Sequence, residues 1–268
     1  MATPSAINPL NSWGFNRKRQ MSRNTIASNK LFNKVLYGAL GPFIKMWTGS
    51  IWDRVALWTQ DNLFSGTNKF GDSTNYLGID DTGYLHLEGN STVYEDLRIE
   101  PVARNTGSKA PTFTLWKGGL YLYDFDDAAL ASEKEIFFTV QMSHTWKEGT
   151  AVEPHVHWVN KTAGTAGQVV GWGLEYSKSS IGGTFPAPTT IYGTTLAGGG
   201  DITVADEHLI SDFPSIDMTG DTISTIMVCR LFRNSSDAAD TYTGTAGLLY
   251  IDWHYERNSL GSREEYVK

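Results

Sequence analysis

The segment HTWKEGTAVEPHVHWV, residues His144–Val159, carries the strongest strand signal in the chain and its densest group of titratable side chains. Its second half alternates. Val152, Val156 and Trp158 fall on one face of an extended strand and Glu153, His155 and His157 on the other, because successive side chains of a strand point to opposite sides. One face is apolar and suits a core; the other is polar and faces something else.

Outward from this segment the same period of two recurs. Strands are expected at Tyr84–Glu88, Thr92–Ile99, Thr112–Trp116, Leu120–Tyr123, Glu135–Met142, Gln168–Tyr176, Thr189–Tyr192, Ile202–Val204, Ile223–Phe232 and Leu248–Tyr255. Composition agrees. Aromatics are 12% of residues, charged residues only 19%, and there are 27 glycines, a balance that suits pleated surfaces joined by turns. Many short strands without helical segments between them argue for a mainly β protein built as a jelly-roll-like antiparallel sandwich. In Leu248–Glu256 the apolar face is read as Leu249, Ile251, Trp253 and Tyr255, and the polar face as Leu248, Tyr250, Asp252, His254 and Glu256. The strand from Ile223 is apolar on both faces, so Ile226, Val228 and Phe232 are candidates for a subunit interface.

The first part of the chain reads differently. Residues 1–70 hold 9 Lys and Arg against 2 acids, whereas residues 71–268 hold 13 against 27. A basic N-terminal anchoring arm (1–70) on an acidic β body (71–268) is therefore expected, extended at first and then carrying two short helices, near 26–40 and 51–63. Such an arm suits docking on an acidic protein surface. Arg17, Lys18 and Arg19 would steer it, and Trp47, Trp52 and Trp58 would be buried by the partner. No nucleic-acid partner is expected, and no run of apolar residues is long enough for a membrane span. The single cysteine, Cys229, excludes an internal disulfide.

Gly149, five further residues and His155-Val156-His157 resemble the opening of the cupin metal motif, in which two strand histidines bind a divalent ion inside a jelly roll. Lys161 and Thr162 stand where that motif has a glutamate. No metal, no cofactor and no catalytic residue are therefore expected. If a metal were bound, His155, His157 and Glu153 would be its candidate ligands. Phosphate-binding loops and nucleophile elbows find no match.

Several other segments, taken together, resemble a group of virion proteins of tailed bacteriophages that are common in environmental viral sequences. They are Val93–Arg98, His144-x-Trp146-Lys147-Glu148-Gly149, Pro154–Trp158, Gly173–Tyr176, Arg230–Arg233 and Leu260–Tyr266. The resemblance implies a structural, non-enzymatic protein located in the virion: a head decoration, head fibre or tail fibre component. Such a protein would be homotrimeric, with capsid, portal or tail proteins as its other partners. Two alternatives stand beside it. One is a receptor- or carbohydrate-binding tip using Trp116, Tyr121, Tyr123 and Trp172; the other is a cupin-like metal-dependent enzyme using His155 and His157.

Overall fold

The computed structural model describes residues 43–47, 52–56, 68–101, 107–127, 133–193, 195–196 and 200–268, and the chain divides into two units, Met1–Ser65 and Gly66–Lys268. In the first unit β1 (Phe43–Trp47) and β2 (Trp52–Ala56) form an antiparallel hairpin, with Trp47 opposite Trp52. This corrects the helix expected at 51–63. Two runs rich in aromatic and branched residues on either side of Gly49-Ser50 are a hairpin signature, and strand pairing outweighs the three-residue capping pattern of Ser50 and Asp53. The helix expected at 26–40 lies outside the described residues, as do Arg17, Lys18, Arg19 and Trp58.

The second unit opens with a small antiparallel sheet of β3 (Asn68–Gly71), β4 (Tyr76–Ile79) and β5 (Leu85–Glu88). There follow β6 (Val93–Ile99), β7 (Thr112–Lys117), β8 (Leu120–Phe125), β9 (Glu135–Gln141), β10 (Val152–Asn160), β11 (Trp172–Ser179), β12 (Thr189–Gly193), β13 (Thr195–Leu196), β14 (His208–Asp212), β15 (Ile226–Arg233) and β16 (Ala246–Arg257). Two sheets result. One runs β8-β16-β10-β14, extended by β7 beyond β8 and by β13 beyond β14, with β6 on the second half of β16; the other runs β12-β11-β15-β9. The chain crosses between them as eight strands wound into two antiparallel four-stranded sheets, which is a jelly roll.

The core lies between the sheets and is dominated by rings. Trp158 meets Trp172 at 6.3 Å between centroids, Phe125 meets Trp172 at 5.2 Å and Phe138 meets Trp253 at 5.7 Å, each pair drawn from opposite sheets. Burying side chains of this size stabilises by roughly 2–3 kcal/mol each. Arg233, at the end of β15, is 0% exposed, and the paired Asp240 carboxylate accepts from its Nε at 2.8 Å and its Nη2 at 2.8 Å. Its Nη1 donates to the carbonyls of Phe125 and Gly244, so one guanidinium ties β8, β15 and the loop before β16 together.

Three further departures from the sequence reading have local causes. Ile202–Val204 is a turn: Ile202 is buried as an anchor, its carbonyl accepting from Asn160 Nδ2 at 2.9 Å, and the strand comes later, at β14. The strand after Ile223 begins only at Ile226, because Ser224 adopts a positive φ of 62°. In β16 the pairing with β10 shifts between His157 and Trp158, where Trp158 pairs with Leu248 and His157 with Tyr250. Leu249 is the extra residue of this bulge, so Leu248 turns into the core instead of lying on the polar face with Tyr250 and Asp252.

Candidate functional site

The polar face of β10 lies on the outside of the larger sheet. Val152, Val156 and Trp158 are fully buried in the core, which sends His155 and His157 the other way. In the cupin arrangement two such histidines converge inside the fold. Here they diverge onto one carboxylate: Asp252, on the neighbouring strand β16 and only 3% exposed, takes His155 Nδ1 at 3.3 Å on Oδ1 and His157 Nε2 at 3.1 Å on Oδ2.

Strand β14, on the other side of β10, extends the row. His155 Nε2 lies 3.4 Å from Asp212 Oδ1, and His157 Nδ1 lies 2.8 Å from His208 Nε2. Five groups on three strands thus form a chain: Asp212, His155, Asp252, His157, His208. Register places them there, since His155 is opposite both Asp212 and Asp252, and His157 is opposite Ile210, two residues from His208. Tyr250 stacks on the His157 ring at 4.1 Å and the Arg98 guanidinium covers Tyr250 at 4.2 Å. At the far end the Asp96 carboxylate accepts from His254 Nδ1 at 2.7 Å, and the His254 ring stacks on Tyr94 at 4.7 Å.

These contacts set the charges. Burial alone would raise the Asp252 carboxyl, but its close pairing with His155 and His157 and their charges more than offset it and hold it down to about 2. His155 is raised, chiefly by its pairing with Asp252 and against the opposing effect of burial, with Asp212 and Glu153 adding their charge. His208 is lowered, first by burial and then by the charge of His157. The site can therefore store protons and tie strands together. Among the described residues no three His, Cys, Asp or Glu side chains are placed to hold a metal ion, and Glu153 is exposed beside His254 instead of joining His155 and His157.

The other candidates are scattered. Ile226 and Val228 lie on the outer face of the second sheet, 39% and 50% exposed, with Phe137 beside them at 38%. Phe232 is instead closed over by its own chain: Gly173 leaves room for its ring, Arg230 lies over it at 4.2 Å and Tyr192 meets its edge. Trp172 is buried in the core, Trp116 donates to Asp206, and Tyr121 and Tyr123 both pack on Phe113, so the four rings proposed for sugar stacking do not form one exposed surface. Trp47 and Trp52 pair across the β1–β2 hairpin. Asp252, Asp212 and His208 escaped the sequence reading as site residues; Asp252 was legible as a polar-face residue, but its partners depend on register. No family model matches the chain, and no curated protein matches it in sequence. No described helix is long and apolar enough to cross a membrane.

Proposed function

We propose that the chain is a structural component of a bacteriophage virion, a head decoration or fibre protein, whose jelly-roll body assembles with copies of itself and whose basic N-terminal segment anchors it to other virion proteins. The observation that carries this reading is the outer face of the β12-β11-β15-β9 sheet. Ile226, Val228 and Phe137 are left exposed there side by side on neighbouring strands. Opposite Phe137 and next after Val228 on this face, Arg230 is already paired, its Nε donating to Glu175 at 2.7 Å and its Nη1 to Glu135 at 2.9 Å. Exposed apolar side chains beside a cation that is already internally paired suit a surface that a partner covers. The jelly roll supports the reading because this architecture recurs in viral coat proteins, although it serves lectins and cupins as well. The segments quoted above, which resemble phage virion proteins, support it independently.

Native mass spectrometry of the full chain tests the assembly. A homotrimer is expected; a monomer at micromolar concentration contradicts it. The carbohydrate-binding alternative is weakened by the burial of Trp172, and the cupin-like enzyme by histidines that face away from the interior of the fold.

A further inference from the structure

His157 and His208 face each other through ring nitrogens 2.8 Å apart. A hydrogen bond of that length needs a proton on one nitrogen and a lone pair on the other. The opposite nitrogen of His157, Nε2, lies 3.1 Å from Asp252 Oδ2, a buried carboxylate whose negative charge favours a proton on that nitrogen. The pair can then take up one proton without changing shape, because an imidazolium at either position still donates across the gap to the other ring. A second proton has no place to go. It would set two N–H groups head to head and put two positive rings in contact.

We propose that His157 and His208 act as a one-proton latch that holds strand β14 on β10 near neutral pH and releases it when acid forces a second proton onto the pair. Strand β14 is suited to such control. Beyond it, among the described residues, lies only the two-residue strand β13, so its hold on the sheet rests mainly on β10, and the latch closes its first residue. The groups around the pair do not rescue the doubly charged state. On β16, Asp252 is shared between His157 and His155, and Tyr250 stacks on His157. On β6, Arg98 adds positive charge above Tyr250, while Asp96 is engaged by His254. On β14, Asp212 lies against His155, and Glu153 of β10 also bears on His155; Glu207 precedes His208 and is half-buried. The lowered proton affinity of His208 agrees with the geometry. Release of β14 would reach the core, since Trp158 Nε1 donates to the buried Ser211 Oγ of that strand at 3.0 Å.

Two measurements on the full chain test the latch. Imidazole titration by nuclear magnetic resonance should place the His208 midpoint below the ordinary histidine value, and His157→Asn should raise it towards that value by removing the neighbouring charge. Amide exchange across 208–212, corrected for the intrinsic effect of pH, should become about tenfold faster on going from about pH 7.5 to about pH 5, whereas His208→Gln should abolish that dependence. Because the His208 side chain is exposed, this variant should fold. A His208 midpoint at or above the ordinary value overturns the proposal, and so does the same acid-dependent exchange in His208→Gln.

Discussion

Replacing Asp252 by Asn removes the centre of the outward-facing row while nearly preserving its shape. The depression of this carboxyl from its ordinary 3.8 to about 2 corresponds to roughly 2–3 kcal/mol. That stabilisation and the raised affinity of His155 are two views of one interaction and do not add. The signs fix a window. A carboxylate with a depressed folded value contributes stability that is present above its ordinary 3.8 and is lost as pH falls towards about 2. A histidine with a raised folded value contributes stability that is present below its ordinary 6.5 and is lost as pH rises through the raised value. The difference between wild type and Asp252→Asn should therefore peak between these limits, near about pH 5.5, at roughly 2–3 kcal/mol. It should shrink on both sides. Urea unfolding of both proteins from acid to neutral pH measures it directly. A difference under about 0.5 kcal/mol at the peak, or one that does not vary with pH, would refute the claim that Asp252 is held ionised by its two histidines.

Other perturbations probe separate parts of the molecule. Asp240→Asn should cost roughly 3–5 kcal/mol, because it strands the fully buried Arg233 guanidinium; an unchanged urea midpoint would contradict this. Gly173→Ala places a Cβ about 2.2 Å from Phe232 Cζ and should lower the melting temperature by an amount equivalent to roughly 1–3 kcal/mol, with Phe232→Leu in the same chain restoring part of it. Val228→Glu should dissociate the proposed oligomer in native mass spectrometry while leaving the circular dichroism spectrum unchanged, since Val228 is half exposed on the outer sheet face; an oligomer that survives the change would move the interface elsewhere. Changing Arg17, Lys18 and Arg19 to Ala should slow association with particles and reduce its salt dependence.

The body of the fold was legible because its strands obey the simplest rule available. Val152, Val156 and Trp158 alternate with Glu153, His155 and His157, and the structure puts the first set in the core. The rule failed where the inward face is not apolar or the backbone leaves the pleat. Strand β14 was overlooked because one of its two inward residues is Ser211, acceptable in the core only because Trp158 donates to it. In β16 the bulge at Leu249 reverses the alternation halfway along, which no periodicity within that strand reports. At β2 the capping pattern of Ser50 and Asp53 competed with aromatic-rich pairing partners, and pairing, a non-local interaction, prevailed. The candidate site was half visible for the same reason: His155 and His157 share a face by local spacing, whereas Asp252, Asp212 and His208 join them through the register of β16 and β14.

The proposed place in a virion is tested most directly on particles of the proposed parent phage. After purification by density gradient, the protein should band with the infectious particles in a fixed copy number per particle, and cryo-electron microscopy of those particles should show trimers of a two-sheet jelly roll projecting from the head or the tail. Particles that lack the protein, with the chain recovered only from the soluble fraction of the lysate, would contradict the assignment.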